Sequence, residues 1–189
     1  MKTDKFSNKI DHALKKTIVL VGIMGAGKTT VGRILADRIG VKFIDADQEI
    51  ERAAGCTITD FFEKYGEVEF RKGEERVISR ILAGQPCVLA TGGGAFMSQA
   101  TRLLIKKTAI SIWLRVGFEV LAKRLEKRSG RPLLQTVDPQ QTLKELIKER
   151  YPIYNYADLI VDGENDGVDT TVSKVIECLD DYCPSKQSV

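Results

Sequence analysis

The sequence predicts an α/β fold, in which a parallel β-sheet carries helices on both faces. Short β-branched apolar runs alternate with helix-patterned segments along the chain, and this alternation is typical of parallel strands joined by crossover helices. The first apolar run leads directly into a glycine-rich turn that ends in Lys28 and Thr29, and an amphipathic helix follows. The length of 189 residues suits one domain with a substantial core.

The individual elements follow from these patterns. Apolar runs predict strands at 17–21, 41–45, 86–90, 109–114 and 158–161. Apolar residues at helical spacing predict helices at 28–39, 47–54, 57–83, 98–107, 117–128, 138–156 and 168–181. We expect a break near Gly66 in the third helix and a cap formed by Thr57 with Asp60 at its start. Ligands of such folds bind at the carboxyl ends of the strands.

The glycine-rich turn is the strongest functional signal. Residues 22–29 read Gly-Ile-Met-Gly-Ala-Gly-Lys-Thr and match the phosphate-loop pattern G-x-x-x-x-G-K-[ST] in full. Backbone N–H groups of such a loop surround phosphate oxygens, and the N-terminus of the next helix adds positive potential. We expect Lys28, in an exposed loop, to reach the β- and γ-phosphates and the Thr29 hydroxyl to hold Mg²⁺. Further nucleotide contacts are expected from Gly25, Ala26, Gly27 and Thr30.

Acidic residues and glycines follow the next two predicted strands. A phosphate-loop protein normally places an acid near its Mg²⁺, and Asp45 or Asp47 is the best candidate here. Asp162 is a weaker candidate because it ends an edge strand, farther from Thr29. The third strand runs into Gly-Gly-Gly at 92–94, where the backbone must approach something closely. We favour a ligand bound by backbone amides over a tight turn alone.

Basic side chains form a second group of candidate functional residues, after the acidic ones. Arg71 lies on a predicted helix, where it either binds an anion or is an ordinary solvated charge. Four more basic residues fall within eight positions, namely Arg124, Lys127, Arg128 and Arg131. Pro132 prevents the preceding helix from continuing through this region. A basic loop at about 124–137 suits a mobile lid over a triphosphate, with a solvated surface patch as the alternative.

Composition excludes several classes of protein. The chain has 29 Lys+Arg and 26 Asp+Glu, a balance too mild to indicate nucleic-acid binding. No apolar run approaches the roughly 20 residues of a membrane helix, and residues 1–16 lack a signal-peptide core. We therefore expect a monomeric cytoplasmic enzyme with one domain at 17–182, a flexible leader at 1–16 and a loose tail at 183–189. One histidine and four cysteines without a C-x-x-C pair leave carboxylates, Lys, Arg and Mg²⁺ to carry the chemistry.

Taken together, these motifs resemble the shikimate kinase family. The matching segments occur in the family's order and spacing: residues 22–29, Phe43-Ile-Asp45-Ala-Asp47, Gly66-Glu-x-Glu-Phe-Arg71, Ala90-Thr-Gly92-Gly-Gly-Ala95, Arg131-Pro-Leu-Leu134 and Arg150-x-x-x-Tyr154. The resemblance implies transfer of the γ-phosphoryl group of ATP to the 3-hydroxyl of shikimate, on the route to aromatic amino acids. It also implies a three-layer P-loop NTPase fold whose five-stranded parallel sheet has the order 2-3-1-4-5.

The resemblance also implies roles for residues at the acceptor. Arg71 and Arg150 would bind the shikimate carboxylate, since bidentate Arg pairing gives orientation as well as charge. Asp47 would accept hydrogen bonds from substrate hydroxyls near the attacked oxygen. Gly93 and Gly94 would contribute backbone contacts to the same ligand. Whether Asp47 removes a proton or only aligns the hydroxyl stays open.

On the nucleotide side, the resemblance implies that Asp45 holds Mg²⁺ through water, beside Thr29. Arg124 would pack on adenine, Asn165 would lie near it, and Arg131 would reach phosphate and substrate. Catalysis would then be mostly alignment and stabilisation of phosphoryl charge. The predicted catalytic residues are Lys28, Asp47 and Arg131.

Three other functions compete with this interpretation. Another small-metabolite kinase, such as a gluconate or nucleoside monophosphate kinase, would use the same phosphate loop. A GTPase is formally suggested by N-K-x-D at 8–11 and D-x-x-G at 37–40, but neither match has the expected strand context, so we interpret both as chance. A nucleotide-binding regulator without catalysis is disfavoured by the intact set of Lys, Asp and Arg residues.

Overall fold

The sheet has the predicted topology. The computed structural model describes residues 15–126, 138–163 and 167–182. Five parallel strands form one sheet in the order β2-β3-β1-β4-β5. They are β1 (Thr17–Val21), β2 (Lys42–Asp45), β3 (Cys87–Ala90), β4 (Ala109–Arg115) and β5 (Leu159–Asp162). Every strand end lies within one residue of the prediction, and the order confirms the one implied by the resemblance.

The helices also agree with the prediction, to within two residues at the ends that can be compared. They are α1 (Lys28–Ile39), α2 (Ala46–Ala54), α3 (Ile58–Leu82), α4 (Gln99–Thr108), α5 (Phe118–Glu126), α6 (Pro139–Tyr154) and α7 (Val168–Asp181). The break in α3 is confirmed at Gly66, with φ 77° and ψ 174°. Thr57 caps this helix by accepting a hydrogen bond from the Asp60 amide at 3.1 Å. A short 3₁₀ helix at Ala95–Met97 was not predicted.

The core surrounds the central strands. Every residue of β1 and β3 is buried, so both faces of the sheet are covered by helices. Helix α1 packs against α7, and α3 packs against α4. The parallel register places the carboxyl ends of the strands together, with Asp45 of β2 opposite Ala90 of β3. The loops after β1, β2 and β3 therefore meet at one edge. In the described ranges, no helix is long and apolar enough to cross a membrane.

Candidate active site

The phosphate loop, residues 22–29, joins β1 to α1. Gly27 caps α1 with φ 95° and ψ 12°, a left-handed conformation that favours glycine over residues with a side chain. No side chain caps the start of this helix within the described ranges. The first amides of α1 and their positive potential therefore face the end of the loop, which suits a bound anion.

The position of Lys28 corrects one expectation. Its side chain is only 9% exposed, and Nζ donates hydrogen bonds to the carbonyl oxygens of Gly22 at 2.7 Å and Ile23 at 3.0 Å. The prediction of an exposed lysine was wrong because the loop wraps around the side chain. The ammonium charge is therefore held at the phosphate loop itself and also stabilises that loop.

Thr29 and Asp45, the two residues predicted to hold Mg²⁺, are hydrogen-bonded to each other. The Thr29 hydroxyl donates to Asp45 Oδ2 at 2.9 Å, and Asp45 Oδ1 accepts from the Asp47 amide at 3.1 Å as the N-cap of α2. Asp162 instead pairs with Arg115 at 2.6 Å on the edge of the sheet, which lowers the pKa of Asp162. The structure thus brings Asp45, and not Asp162, to the phosphate loop.

The ligand chemistry of this pair suits Mg²⁺. Hydroxyl and carboxylate oxygens are hard ligands, and Mg²⁺ is commonly held by one or two of them together with phosphate oxygens and water. Across the described residues, no group of three His, Cys, Asp or Glu side chains could hold a metal ion. A cation beside Thr29 and Asp45 would complete its coordination with water or with phosphate oxygens of a ligand.

Two cavities flank the phosphate loop. A narrow cleft of about 70 Å³ includes Lys28, Thr29, Asp45 and Asp47 in its lining. A larger cavity of about 400 Å³ has an apolar lining and is bounded by Gly25, Ala26, Gly27, Thr30, Val31, Arg124, Gly163, Gly167, Val168 and Thr171. Arg124 Nη1 donates to the Gly25 carbonyl at 3.3 Å, which holds the guanidinium over this cavity. The predicted contacts Asn165 and Arg131 lie outside the described residues.

A third cavity, which we call the acceptor cavity, lies on the other side of Asp47. It has a volume of about 200 Å³ and combines an apolar wall with charged groups. The apolar wall is formed by Met24, Ile58, Phe62 and Phe70. The polar side is formed by Asp47, Arg71, Glu74, Arg150 and the triglycine loop, residues 92–94. Asp47, Gly92 and Gly93 also line the phosphate cleft, so the two spaces adjoin.

Two arginines face the acceptor cavity. Arg150 is only 6% exposed, and its buried Nε has no hydrogen-bond partner among the described residues. Arg71 is half-buried and pairs with Glu74 at 2.7 Å and with Glu67 at 3.0 Å. Arg71 is therefore not an ordinary solvated charge. A buried guanidinium that lines a cavity favours an anionic ligand, because burying a charge without an opposite charge beside it is costly.

The triglycine loop makes room for these side chains. A Cβ atom on Gly92 would lie 2.8 Å from Asp47 Oδ1 and 2.9 Å from Glu74 Oε1. A Cβ atom on Gly94 would lie 2.5 Å from Arg71 Cζ. The close approach predicted from the three glycines is confirmed, but in this structure it is to side chains of the site. Contact between the backbone amides and a ligand remains a prediction.

The sequence analysis gave no role to two residues at this site, although one of them, Tyr154, belongs to a matching segment. Glu74 is 2% exposed, and its Oε1 has no hydrogen-bond partner among the described residues. Burial raises the pKa of Glu74, while the Arg71 guanidinium opposes that rise. Tyr154 is fully buried and donates its hydroxyl proton to the Gly93 carbonyl. Spacing offered a signal, since Glu74 lies three residues after Arg71 and Tyr154 four after Arg150 on their helices.

Fold and site together define a P-loop kinase, with a phosphate loop beside a cavity that two arginines line. A family model described as shikimate kinase matches residues 24–180. The chain belongs to the shikimate kinase family, and it is an ATP-dependent phosphotransferase. It is 51% identical to a shikimate kinase of Bradyrhizobium diazoefficiens over 164 residues, which are 87% of this chain and 79% of the relative. A Paramagnetospirillum magneticum shikimate kinase is 49% identical over 92% of this chain and 89% of its own.

Comparison with solved structures agrees with the assignment to this family. A shikimate kinase from Acinetobacter baumannii in complex with shikimate superposes with a TM-score of 0.84 at 39% identity, covering 89% of this chain and 95% of that one. A gluconokinase from Sinorhizobium meliloti superposes with a TM-score of 0.59 at 20% identity, covering 88% of this chain and 92% of its own. The gluconokinase shares the fold alone.

Proposed function

We propose that this chain transfers the γ-phosphoryl group of ATP to the 3-hydroxyl of shikimate, giving shikimate 3-phosphate and ADP for aromatic amino acid synthesis. The observation that carries the proposal is the acceptor cavity, where Arg71 and Arg150 face Asp47 beside the phosphate loop. Shikimate has one carboxylate, an apolar ring edge and three hydroxyls. Those three features match the three kinds of surface that this cavity offers.

The acceptor binds in one orientation because its two ends meet different groups. Arg71 and Arg150 take the carboxylate, and the amides of Gly93 and Gly94 lie along the same ligand. Asp47 accepts hydrogen bonds from the hydroxyls at the other end, next to the phosphate cleft. Charge-assisted bonds to a buried carboxylate give both affinity and direction. The attacking hydroxyl is thereby held toward the γ-phosphate.

The nucleotide lies across the phosphate loop. Lys28 and the amides of Gly25, Ala26, Gly27, Thr29 and Thr30 contact its phosphates, and the adenine occupies the 400 Å³ cavity beside Arg124. Mg²⁺ would be held by Thr29 directly and by Asp45 through water. Held there, the ion would supply positive charge that offsets the negative charge of the phosphates.

Transfer requires little covalent chemistry from the protein. The shikimate oxygen bonds to the γ-phosphorus as the bond from that phosphorus to the β–γ bridging oxygen breaks and ADP leaves. The hydroxyl proton passes to Asp47 or, where Asp47 only aligns the hydroxyl, to solvent. The transition state is loose, so alignment and cationic stabilisation dominate. Asp47 orients the hydroxyl, and Lys28 stabilises the phosphoryl oxygens. Arg131 would add a second cation, and Asn165 would contact adenine, both on the resemblance alone.

An acceptor panel tests the proposal. ADP formation is followed with ATP and each of shikimate, gluconate and a nucleoside monophosphate, with and without Mg²⁺. We expect turnover with shikimate only, and loss of turnover when EDTA removes the metal. Preferred phosphorylation of gluconate or of the nucleotide would contradict the assignment of the acceptor cavity. The sequence also predicts a monomeric, cytoplasmic protein. Size-exclusion chromatography tests the oligomeric state, and fractionation of cells tests the location.

A further inference from the structure

We propose that Tyr154 is a positioning residue, which fixes the triglycine loop and Arg150 in the single arrangement that receives the acceptor carboxylate. This inference rests on the proposed function of the acceptor cavity. Tyr154 itself is absent from the lining of that cavity, so it acts through other residues.

The Tyr154 hydroxyl binds at the point where three parts of the site meet. It donates a hydrogen bond to the Gly93 carbonyl. The place where a Cβ atom of Gly93 would sit is 3.3 Å from Arg150 Nη1 and 3.5 Å from the Met24 amide nitrogen. The backbone of Gly93 therefore lies close to both Arg150 and the phosphate loop. One hydrogen bond from Tyr154 fixes the backbone at this junction.

The direction of that hydrogen bond determines the direction of the next amide. The chain has no cis peptide bond in its described ranges, so the peptide unit between Gly93 and Gly94 is trans. In a trans peptide the C=O and the following N–H point in opposite directions within one plane. Tyr154 lies outside the lining of the acceptor cavity, so we infer that the Gly93 carbonyl to which it donates points away from the cavity and that the Gly94 N–H points toward it. That amide is one of the proposed contacts to shikimate.

The tyrosine is itself rigidly held. Its ring is fully buried and packs against Trp113 at 5.9 Å and Phe96 at 6.5 Å between ring centroids. Burial raises the pKa of Tyr154 to about 12, and the nearby Arg150 guanidinium opposes that rise. The hydroxyl therefore remains a donor throughout the physiological pH range. Arg150 lies one helical turn before Tyr154 on α6, so both side chains project from the same face.

The same helix offers a matched control. Tyr151 is partly buried, contacts Trp113 at 4.9 Å and donates its hydroxyl proton to another backbone carbonyl, that of Val116. It does not line the acceptor cavity. Tyr154→Phe and Tyr151→Phe each remove one hydroxyl and one hydrogen bond to the backbone. A purely structural role for both tyrosines predicts the same kinetic outcome for both variants.

The experiment measures the KM for shikimate, the KM for ATP, kcat and Tm for both variants. One hydrogen bond is worth roughly 0.5–1.5 kcal/mol, so Tyr154→Phe should raise the KM for shikimate about 2- to 12-fold with the KM for ATP unchanged. Both variants should lower Tm by a similar amount, because each loses one hydrogen bond to the backbone. Tyr151→Phe should leave the KM for shikimate unchanged. Amide exchange at residues 92–95 should accelerate in Tyr154→Phe alone.

The outcomes separate this inference from the proposed function when Arg150→Ala is assayed in parallel. Unchanged shikimate kinetics in Tyr154→Phe, with a raised KM in Arg150→Ala, would overturn the positioning role and leave the proposed function intact. Equal rises in the KM for shikimate in both phenylalanine variants would also overturn it. If Arg150→Ala and Tyr154→Phe, each as a single variant, both show normal shikimate kinetics, the positioning role and the carboxylate site are both overturned.

Discussion

Gly94→Ala is the most revealing single substitution in the acceptor cavity. Gly94 has φ −91° and ψ −18°, which alanine adopts without strain, so the backbone amide keeps its place. The new methyl group would lie 2.5 Å from Arg71 Cζ, closer than a Cβ atom can approach, and the guanidinium must move. Its ion pair with the buried Glu74 at 2.7 Å moves with it or breaks.

The magnitude follows from what Arg71 contributes. A charge-assisted hydrogen bond to a carboxylate is worth about 1.5–3 kcal/mol, so displacing Arg71 should raise the KM for shikimate roughly 10- to 150-fold. The KM for ATP should change little, because the phosphate loop is untouched. A coupled assay of ADP formation measures both constants, and thermal unfolding reports Tm.

Gly73→Ala is the matched control for this substitution. Gly73 lies two residues after Arg71 on α3, and an added Cβ atom there meets nothing within 4 Å. It should leave both KM values unchanged and stabilise the helix by roughly 0.5–1 kcal/mol. Wild-type shikimate kinetics in Gly94→Ala would refute the steric argument and leave the backbone amide as the only role of Gly94.

Three further substitutions test individual residues. Lys28→Met should abolish most turnover and also lower Tm, because two buried loop carbonyls lose their donor; a kcat near that of the wild type would contradict the phosphate-loop role. Asp47→Asn should bind ATP with unchanged affinity, measured by calorimetry, and its kcat should fall about 10²–10⁴-fold. A large loss of ATP affinity would instead indicate that Asp47 is the metal ligand and that Asp45 has the role assigned to Asp47. For Glu74→Gln, the pH dependence of stability follows from the pKa of the wild-type carboxyl group. Burial raises the folded-state pKa of Glu74 above its usual value of 4.5. Ionisation of Glu74 therefore lowers the free energy of unfolding above pH 4.5 and has no such effect well below it. The Tm of Glu74→Gln relative to wild type should therefore rise as the pH increases from about 4 to about 7, and a constant difference would show that this carboxyl does not titrate differently on folding.

Much of the fold was predictable because local pattern and global architecture agree. Strand β1 is followed by Gly22 and helix α1 by Gly40, so the ends of β1 and α1 are defined by the residues beside them. The same agreement located Thr29 and Asp45, because carboxyl ends of neighbouring parallel strands must meet.

The remainder depends on contacts between distant elements. Lys28 is buried because its own loop folds around it, and periodicity carries no information on that path. Glu74 reads as an ordinary polar position on α3, although Arg71 compensates its charge from one turn earlier and Asp47 approaches from another helix. The triglycine loop leaves space for such side chains, and the sequence could not predict this because it depends on how α3 packs against the loop.

The most direct test of the account compares two acceptors in two proteins. The kcat/KM for shikimate and for its methyl ester, which lacks the negative charge, is measured for the wild type and for Arg150→Ala. The account predicts that the substitution costs roughly 10- to 150-fold with shikimate and far less with the ester, because only the acid makes the charge-assisted contact. Equal losses with the two acceptors would contradict carboxylate recognition by Arg150.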